Sequence, residues 1–272
     1  MGIRQGHRRL AAFVLGKPVH DDSVFPEVFT YLQGKGVSVR VHLPHETGDL
    51  KPAWLSGAAL IVSRGLQPTA LSALADLERA GIPCCNRIDA TVAAQHRGHL
   101  LRRLAEAELP VPRWNRVDTW SEVLACNMKQ SIVVKALDGR RGRGVGVAFL
   151  RPSEHSPVAP FPGPYVVQDR IVGDGRDRKV YVAGAACRGL FKPWPRRGSS
   201  DQESFVPTST LSGLALAVGR VLKLDIYSVD FLESAAGPVI VDVNVFPGFK
   251  GVPEAARLIG DHLCRQWLPG IR

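Results

Sequence analysis

The chain has 272 residues, 45% of them hydrophobic, and a formal net charge of +10 from 35 basic and 25 acidic side chains. That length supports one sizeable α/β unit or two small domains sharing an interface, with a core that needs no disulfides. No apolar run is long enough to span a bilayer, and the five cysteines match no zinc pattern and include an adjacent pair poorly suited to a disulfide, so a reducing, cytoplasmic setting is expected.

The basic start, Met1 to Arg9, reads as a short exposed arm, and the apolar stretch after it is too short for the core of a signal peptide. Leu10–Leu15 and Val37–Leu43 read as strands flanking a helix near Pro26–Gln33, with Gly34 at its end. A strand over Ala58–Val62 follows, then a helix over Thr69–Ala80 with Leu71, Leu74, Ala75 and Leu77 on one broad face, then a strand over Ile82–Cys85. This alternation predicts a small, mainly parallel sheet. Asp89 is positioned to cap a long helix reaching about Glu108, where Pro110 and Pro112 end it. Ser121 similarly marks a short helix before the strand Ser131–Ala136. Further strands are predicted at Gly144–Leu150 and Tyr165–Arg170, and a hairpin at Arg178–Ala183 and Ala186–Phe191 with Gly184 at its turn. Trp194–Pro207 is polar and aperiodic and reads as a mobile loop, before a helix near Leu211–Leu222. A second hairpin turning at Ala235-Ala236-Gly237-Pro238 and an amphipathic helix after Pro253 complete the chain.

Four segments carry chemistry. In Val239-Ile240-Val241-Asp242-Val243-Asn244, the acid and the amide share one face of a strand, because strand side chains alternate. The hairpin brings Asp230 beside them, and such an oxygen-rich set suits a hard cation such as Mg²⁺. Upstream, Lys135 stands near the end of a strand that runs into Gly139-Arg140-Arg141-Gly142-Arg143-Gly144, where glycines allow backbone N–H groups to approach phosphate oxygens. This is neither a P-loop nor a dinucleotide fingerprint. Backbone at the end of the strand carrying Gln168-Asp169-Arg170-Ile171 offers hydrogen bonds to an adenine edge, Asp177 offers acceptors to ribose hydroxyls, and Lys179 offers a cation to phosphate. From Gly139 to Gly198, twelve Arg/Lys stand against four Asp/Glu, a field that attracts anions. The window lacks the aromatic interleaving of single-strand binders, so nucleic acid is not the expected partner.

Together and in this order, these segments resemble the ATP-grasp superfamily over roughly Ile82 to Leu263. The resemblance implies an α+β fold whose two lobes clamp ATP, preceded by a small parallel α/β domain. The implied division is 1–88 for the preceding domain and 89–272 for the ATP-grasp portion, with a lid lobe over about 113–168 and a metal-binding lobe over 169–272. It also implies that Lys135, Gly142, Gly144, Gln168, Asp169, Arg170, Ile171, Asp177 and Lys179 bind ATP, and that Asp230, Asp242 and Asn244 hold Mg²⁺ or Mn²⁺. The entrance helix of such proteins usually carries Arg-Asp-Lys, whereas this chain has Gln95-His96-Arg97-Gly98-His99, leaving Arg97 or His99 in place of the lysine.

Two branches of the superfamily resemble different parts of the chain. Ser63-Arg64-Gly65, Ile82–Asn86 and Gln168–Val182 resemble RimK-like ligases, which join a carboxylate to an amine. Phe246-Pro247-Gly248-Phe249-Lys250 resembles the metal strand of inositol-trisphosphate kinases. The favoured expectation is a ligase acting on an anionic small molecule or peptide, with Lys192, Arg196 and Arg64 around the acceptor. The alternatives are a kinase for a small polyol or inositol-phosphate-like acceptor, and a nucleotide-binding module without turnover.

Overall fold

Strand β1 (Leu10–Leu15) is buried because it runs through the middle of a sheet covered on both faces. Ala11, Phe13 and Leu15 enter one core while Ala12 and Val14 enter another, as expected for a central parallel strand. The computed structural model describes residues 9–127, 130–138, 146–152, 156–193 and 203–268. In the first sheet, β2 (Ser38–His42), β3 (Leu60–Arg64) and the short β4 (Cys84–Cys85) join β1 in the order β2-β1-β3-β4, all parallel. The crossovers carry α1 (Phe25–Gly34) and α3 (Pro68–Arg79), with the short helix α2 (Pro44–Thr47) and a 3₁₀ turn at Ala53–Gly57 between them.

The single helix expected from Asp89 to Glu108 is two helices, α4 (Ile88–Gln95) and α5 (Arg97–Glu106). His96 adopts extended backbone and forms a β-bridge with Asp138, and the amide of Arg97 donates to the Leu137 carbonyl. That pairing takes the backbone out of the helical ladder, and His96 then caps α5 by accepting the His99 amide on Nδ1 at 3.1 Å. Asp89 is not the cap residue. It lies inside the first turn of α4, held by Arg87.

A second sheet, order β5-β8-β6-β7, is antiparallel and is built from β5 (Trp114–Val117), β6 (Ile132–Ala136), β7 (Val147–Leu150) and β8 (Tyr165–Asp169). Val123 of α6 (Trp120–Asn127) packs on Ile132, Val134, Tyr165 and Val167. Thr119 and Glu122, rather than Ser121, start that helix: the Thr119 hydroxyl accepts the Glu122 amide and the Glu122 carboxylate accepts the Thr119 amide.

The third sheet is antiparallel in the order β11-β10-β9-β12-β13, from β9 (Arg176–Ala183), β10 (Ala186–Pro193), β11 (Glu203–Phe205), β12 (Ile226–Ser234) and β13 (Gly237–Val245). The strand β11 falls within the segment expected to be a mobile loop. It is an edge strand of three residues, too short to show a period, and is held by pairing with β10 and by the stacking of Phe205 on Phe191. Residues 194–202 lie outside the described residues.

One face of this sheet, with Val180, Val182, Val229 and Phe231, packs on α5 and on α7 (Ser209–Leu222). The other face contributes Tyr181, Ala183, Leu190 and Ile226 to a core shared with β1, α1 and α8 (Ala255–Trp267). The Tyr31 hydroxyl on α1 donates to Asp261 on α8 at 2.5 Å. The last helix therefore packs against the first sheet's unit, although it closes the chain. Among the described residues, no helix is long and apolar enough to cross a membrane.

Candidate active site

Residues paired directly across an antiparallel sheet point to the same face. The register therefore aligns polar residues in rows on the third sheet. Lys179, Asp230 and Asp242 stand abreast on β9, β12 and β13, with Tyr181, Ser228 and Asn244 in the next row and Lys192 opposite Asp177 beyond. Asn244 Nδ2 lies 3.5 Å from Asp230 Oδ2 and 3.4 Å from Asp242 Oδ2, so the structure brings these three residues together. Lys179 closes the group through a buried ion pair with Asp230. Two carboxylates and an amide at this spacing form an oxygen-donor set that fits a hard divalent cation. Lys179 balances the charge of Asp230, and the Asn244 amide nitrogen lies within hydrogen-bond distance of both carboxylates.

A bulge in β13 links this set to the second sheet. Asp230 pairs with Asp242 while Phe231 pairs with Ile240, which leaves Val241 as the extra residue. The Val241 carbonyl accepts from Lys135 Nζ at 2.6 Å, across the gap between the two sheets. Lys135 is buried, and burial pulls its ammonium below the usual lysine pKa against the opposing pull of Asp242. Gln168 is buried beside it, with Nε2 lacking a hydrogen-bond partner among the described residues. A buried amide nitrogen left unpaired carries the full desolvation cost, so it is a donor suited to a ligand acceptor.

Lys135, Gln168, Asp242 and Asn244 line one cleft of about 260 Å³ together with Arg64 and Arg97. Arg97 Nη1 donates to the Ala136 carbonyl at 2.7 Å, next to Lys135. His99 instead lies against Arg102 Nη2 at 3.2 Å, and burial and that guanidinium hold its pKa below the usual value. Of the two residues that stand where a lysine is usual, Arg97 is the one in the cleft. Arg64 reaches the cleft from the end of β3, where Nε donates to the Phe246 carbonyl at 3.1 Å and the guanidinium lies over the Phe25 ring.

The remaining predicted residues divide into three groups. Lys192 is buried with Nζ 5.7 Å from the centre of the Tyr181 ring, on the same sheet face as Asp177 and Lys179. Asp169 turns outward to Arg113 at 2.8 Å and Gln130 at 2.7 Å, and the amides of Asp169 and Arg170 are spent on the Arg113 and Ser131 carbonyls. Those two amides are thus used within the second sheet rather than offered to a base. Arg170 is exposed, and neither it nor Ile171 lines the cleft. Gly142, Gly144 and Arg196 lie outside the described residues.

The Phe246–Lys250 turn has a packing explanation. Phe246 and Phe249 are buried in the core shared with the first sheet, and Lys250 pairs with Asp22 at 2.6 Å on the surface. Four contributors were not singled out from sequence for their parts here. The Val241 carbonyl is turned by a bulge that only the register reveals. Thr91 and Gln95 line the cleft from α4, where their i,i+4 spacing was the available sign of a shared face. Asn86, buried at the end of the first sheet, accepts the Asp225 and Ile226 amides at 2.6 and 2.8 Å and donates to the Ile226 carbonyl at 2.7 Å, and so anchors β12.

No family model matches the chain. A probable alpha-L-glutamate ligase from Thioalkalivibrio sulfidiphilus is 30% identical over 152 residues, 51% of this chain and 50% of that protein. A ribosomal protein bS6–L-glutamate ligase from Escherichia fergusonii is 30% identical over 136 residues, 45% of each. The chain thus matches about half the length of these curated relatives. The fold is similar over nearly the whole chain to a crystal structure of a RimK domain ATP-grasp protein from Sphaerobacter thermophilus, with a TM-score of 0.70, 21% identity, and coverage of 93% of this chain and 98% of that one. With two antiparallel sheets enclosing the Lys135–Asp242 cleft behind a parallel first sheet, the chain has the ATP-grasp fold of that structure.

Proposed function

We propose that this protein is an ATP-dependent ligase that joins a carboxylate to an amine. The single observation that supports this most strongly is the bond from Lys135 to Val241 beside the Asp230/Asp242/Asn244 cluster, because it sets a cation from one sheet against an oxygen-donor set on the other. In this reading Lys135 and Arg97 contact nucleotide phosphate, and Gln168 Nε2 donates to an acceptor on the nucleotide. Asp177 accepts from ribose, and Asp230, Asp242 and Asn244 hold Mg²⁺ or Mn²⁺. The cation neutralises charge on the phosphate oxygens. Residues 1–88 are the preceding domain and 89–272 the ATP-grasp portion of a protein working in the cytoplasm.

A carboxylate is a poor electrophile until one of its oxygens becomes a leaving group. Its oxygen attacks the γ-phosphorus, the bond to the ADP oxygen breaks, and an acyl phosphate forms. The amine then attacks the carbonyl carbon, the carbon–oxygen bond to phosphate breaks, and the nitrogen gives up a proton. Arg64, which lines the cleft, suits the carboxylate of an anionic amino acid or peptide, since its planar fork pairs bidentately with such a group. Lys192, in the row beyond Lys179, supplies a second cation for charge building on the transferred group.

The test follows heavy-oxygen label from a candidate carboxylate substrate while ATP is consumed. Label appearing in free phosphate, with an amide as co-product, is the expected result. A phosphorylated acceptor with no free phosphate would establish the kinase instead, and nucleotide binding with no ADP would establish a module without turnover.

A further inference from the structure

We propose that Cys85, Asp225 and His262 form a binding site for one zinc-like divalent transition metal, separate from the nucleotide cleft. Each offers one ligand atom, and the three atoms all lie within 4.8 Å of one another. They come from distant parts of the chain: the end of β4, the residue before β12 and the middle of α8. Sequence spacing could not reveal them, because only the packing of the first sheet, the third sheet and the last helix brings them together.

An independent observation also points to a ligand. His262 is 8% exposed, and its Nε2 is buried without a hydrogen-bond partner among the described residues. That nitrogen faces Asp225 Oδ1 at 3.6 Å, beyond hydrogen-bond reach. A neutral imidazole with its proton on Nδ1 would present the Nε2 lone pair to a metal at this position.

The surrounding backbone holds the cluster in place. Asn86, next to Cys85, accepts the Asp225 amide at 2.6 Å, which fixes the cysteine and aspartate strands together. The amide of Gly184 donates to the Asp225 carbonyl at 2.9 Å. Gly184 has φ +61°, and a Cβ there would stand 2.4 Å from His262 Nδ1, so glycine at this turn makes room for the imidazole.

The donor set identifies the class of metal. Thiolate, imidazole and carboxylate together suit zinc in tetrahedral geometry, whereas Mg²⁺ and Ca²⁺ take oxygen ligands. The Asp225 side chain is 30% exposed, which leaves solvent access for a water as fourth ligand. On binding, the Cys85 thiol releases its proton to solvent and its sulfur bonds the metal. The ion would cross-link the first sheet, the third sheet and α8.

The test uses the full chain, stripped with a chelator, titrated with cobalt(II) as a spectroscopic substitute and then with zinc. A near-ultraviolet thiolate-to-cobalt charge-transfer band that saturates at one metal per chain and is abolished by zinc is the expected result. The Asp230/Asp242/Asn244 set contains no sulfur and cannot give that band, so the two sites are distinguished. Cys85→Ser should remove the band, and added zinc should raise Tm in the parent but not in this variant. Asp225→Asn should retain the band while weakening the metal at least about tenfold. Absence of the band in the parent chain would overturn the proposal, as would its survival in Cys85→Ser. If Cys85→Ser does not fold, unchanged affinity in Asp225→Asn would overturn it equally.

Discussion

The two lysines that flank the Asp230/Asp242/Asn244 cluster sit in opposite electrostatic settings. Lys179, on the third sheet, is buried against the carboxylate of Asp230. Lys135, on the second sheet, is also buried but donates to a backbone carbonyl, and burial pulls its ammonium below the usual pKa against the pull of Asp242. One sheet thus pairs its buried cation with a carboxylate, while the other presents a buried cation whose electrostatic complement would be an anion entering the cleft. In the proposed ligase this difference amounts to a division of labour: the third sheet would hold the metal-binding set, and Lys135 on the second sheet would meet phosphate.

The comparison breaks first at Asp242. Asp242→Ala removes a donor from the cluster but exposes no core, so ATP turnover should fall by at least about 10³-fold with the circular-dichroism spectrum unchanged. Turnover near that of the parent would remove the metal assignment. Lys135→Met is the next largest, with turnover expected to fall about 10²-fold and the KM for ATP to rise. Lys135 also sharpens the contrast through pH. Because its folded pKa is lowered, the unfolded chain binds more protons between that value and the ordinary lysine range. Its stability penalty is therefore full below the lowered pKa and is lost as pH rises from there to the ordinary lysine range. In urea unfolding, the stability difference between parent and Lys135→Met should shift in the parent's favour as pH increases. A difference that stays flat with pH would mean the ammonium carries no burial penalty.

Two smaller effects concern the frame around the cleft. Asn86→Ala leaves the Asp225 and Ile226 backbone groups without their partners, at a cost of about 3 kcal/mol in chemical denaturation. A cost within experimental error would mean that water replaces the side chain. Lys250→Ala deletes an exposed, solvent-screened pair with Asp22 and should leave both stability and turnover unchanged within experimental error. A large loss of turnover there would revive the kinase reading of the Phe246–Lys250 turn.

What could be read from the chain beforehand was periodic and local. Leu10–Leu15 and the hairpin carrying Asp230, Asp242 and Asn244 announced themselves by apolar runs and alternation, and the parallel order of the first sheet followed from strand–helix alternation. What escaped depended on contacts between distant segments. The break at His96 exists because Asp138 pairs with it, forty-odd residues later. The outward turn of Asp169 depends on Arg113 and Gln130, and the bulge at Val241 depends on a register that no local pattern encodes. Asn86 could be noticed in sequence, but its clamp on β12 could not.

The most direct measurement is a crystal structure of the protein grown with Mn²⁺ and a non-hydrolysable ATP analogue, with anomalous scattering used to locate the metal. The expected result is an anomalous peak ligated by Asp230, Asp242 and Asn244, with the triphosphate reaching Lys135 from the opposite side of the cleft. Nucleotide bound elsewhere, or bound in the cleft with those three side chains free of metal, would contradict it.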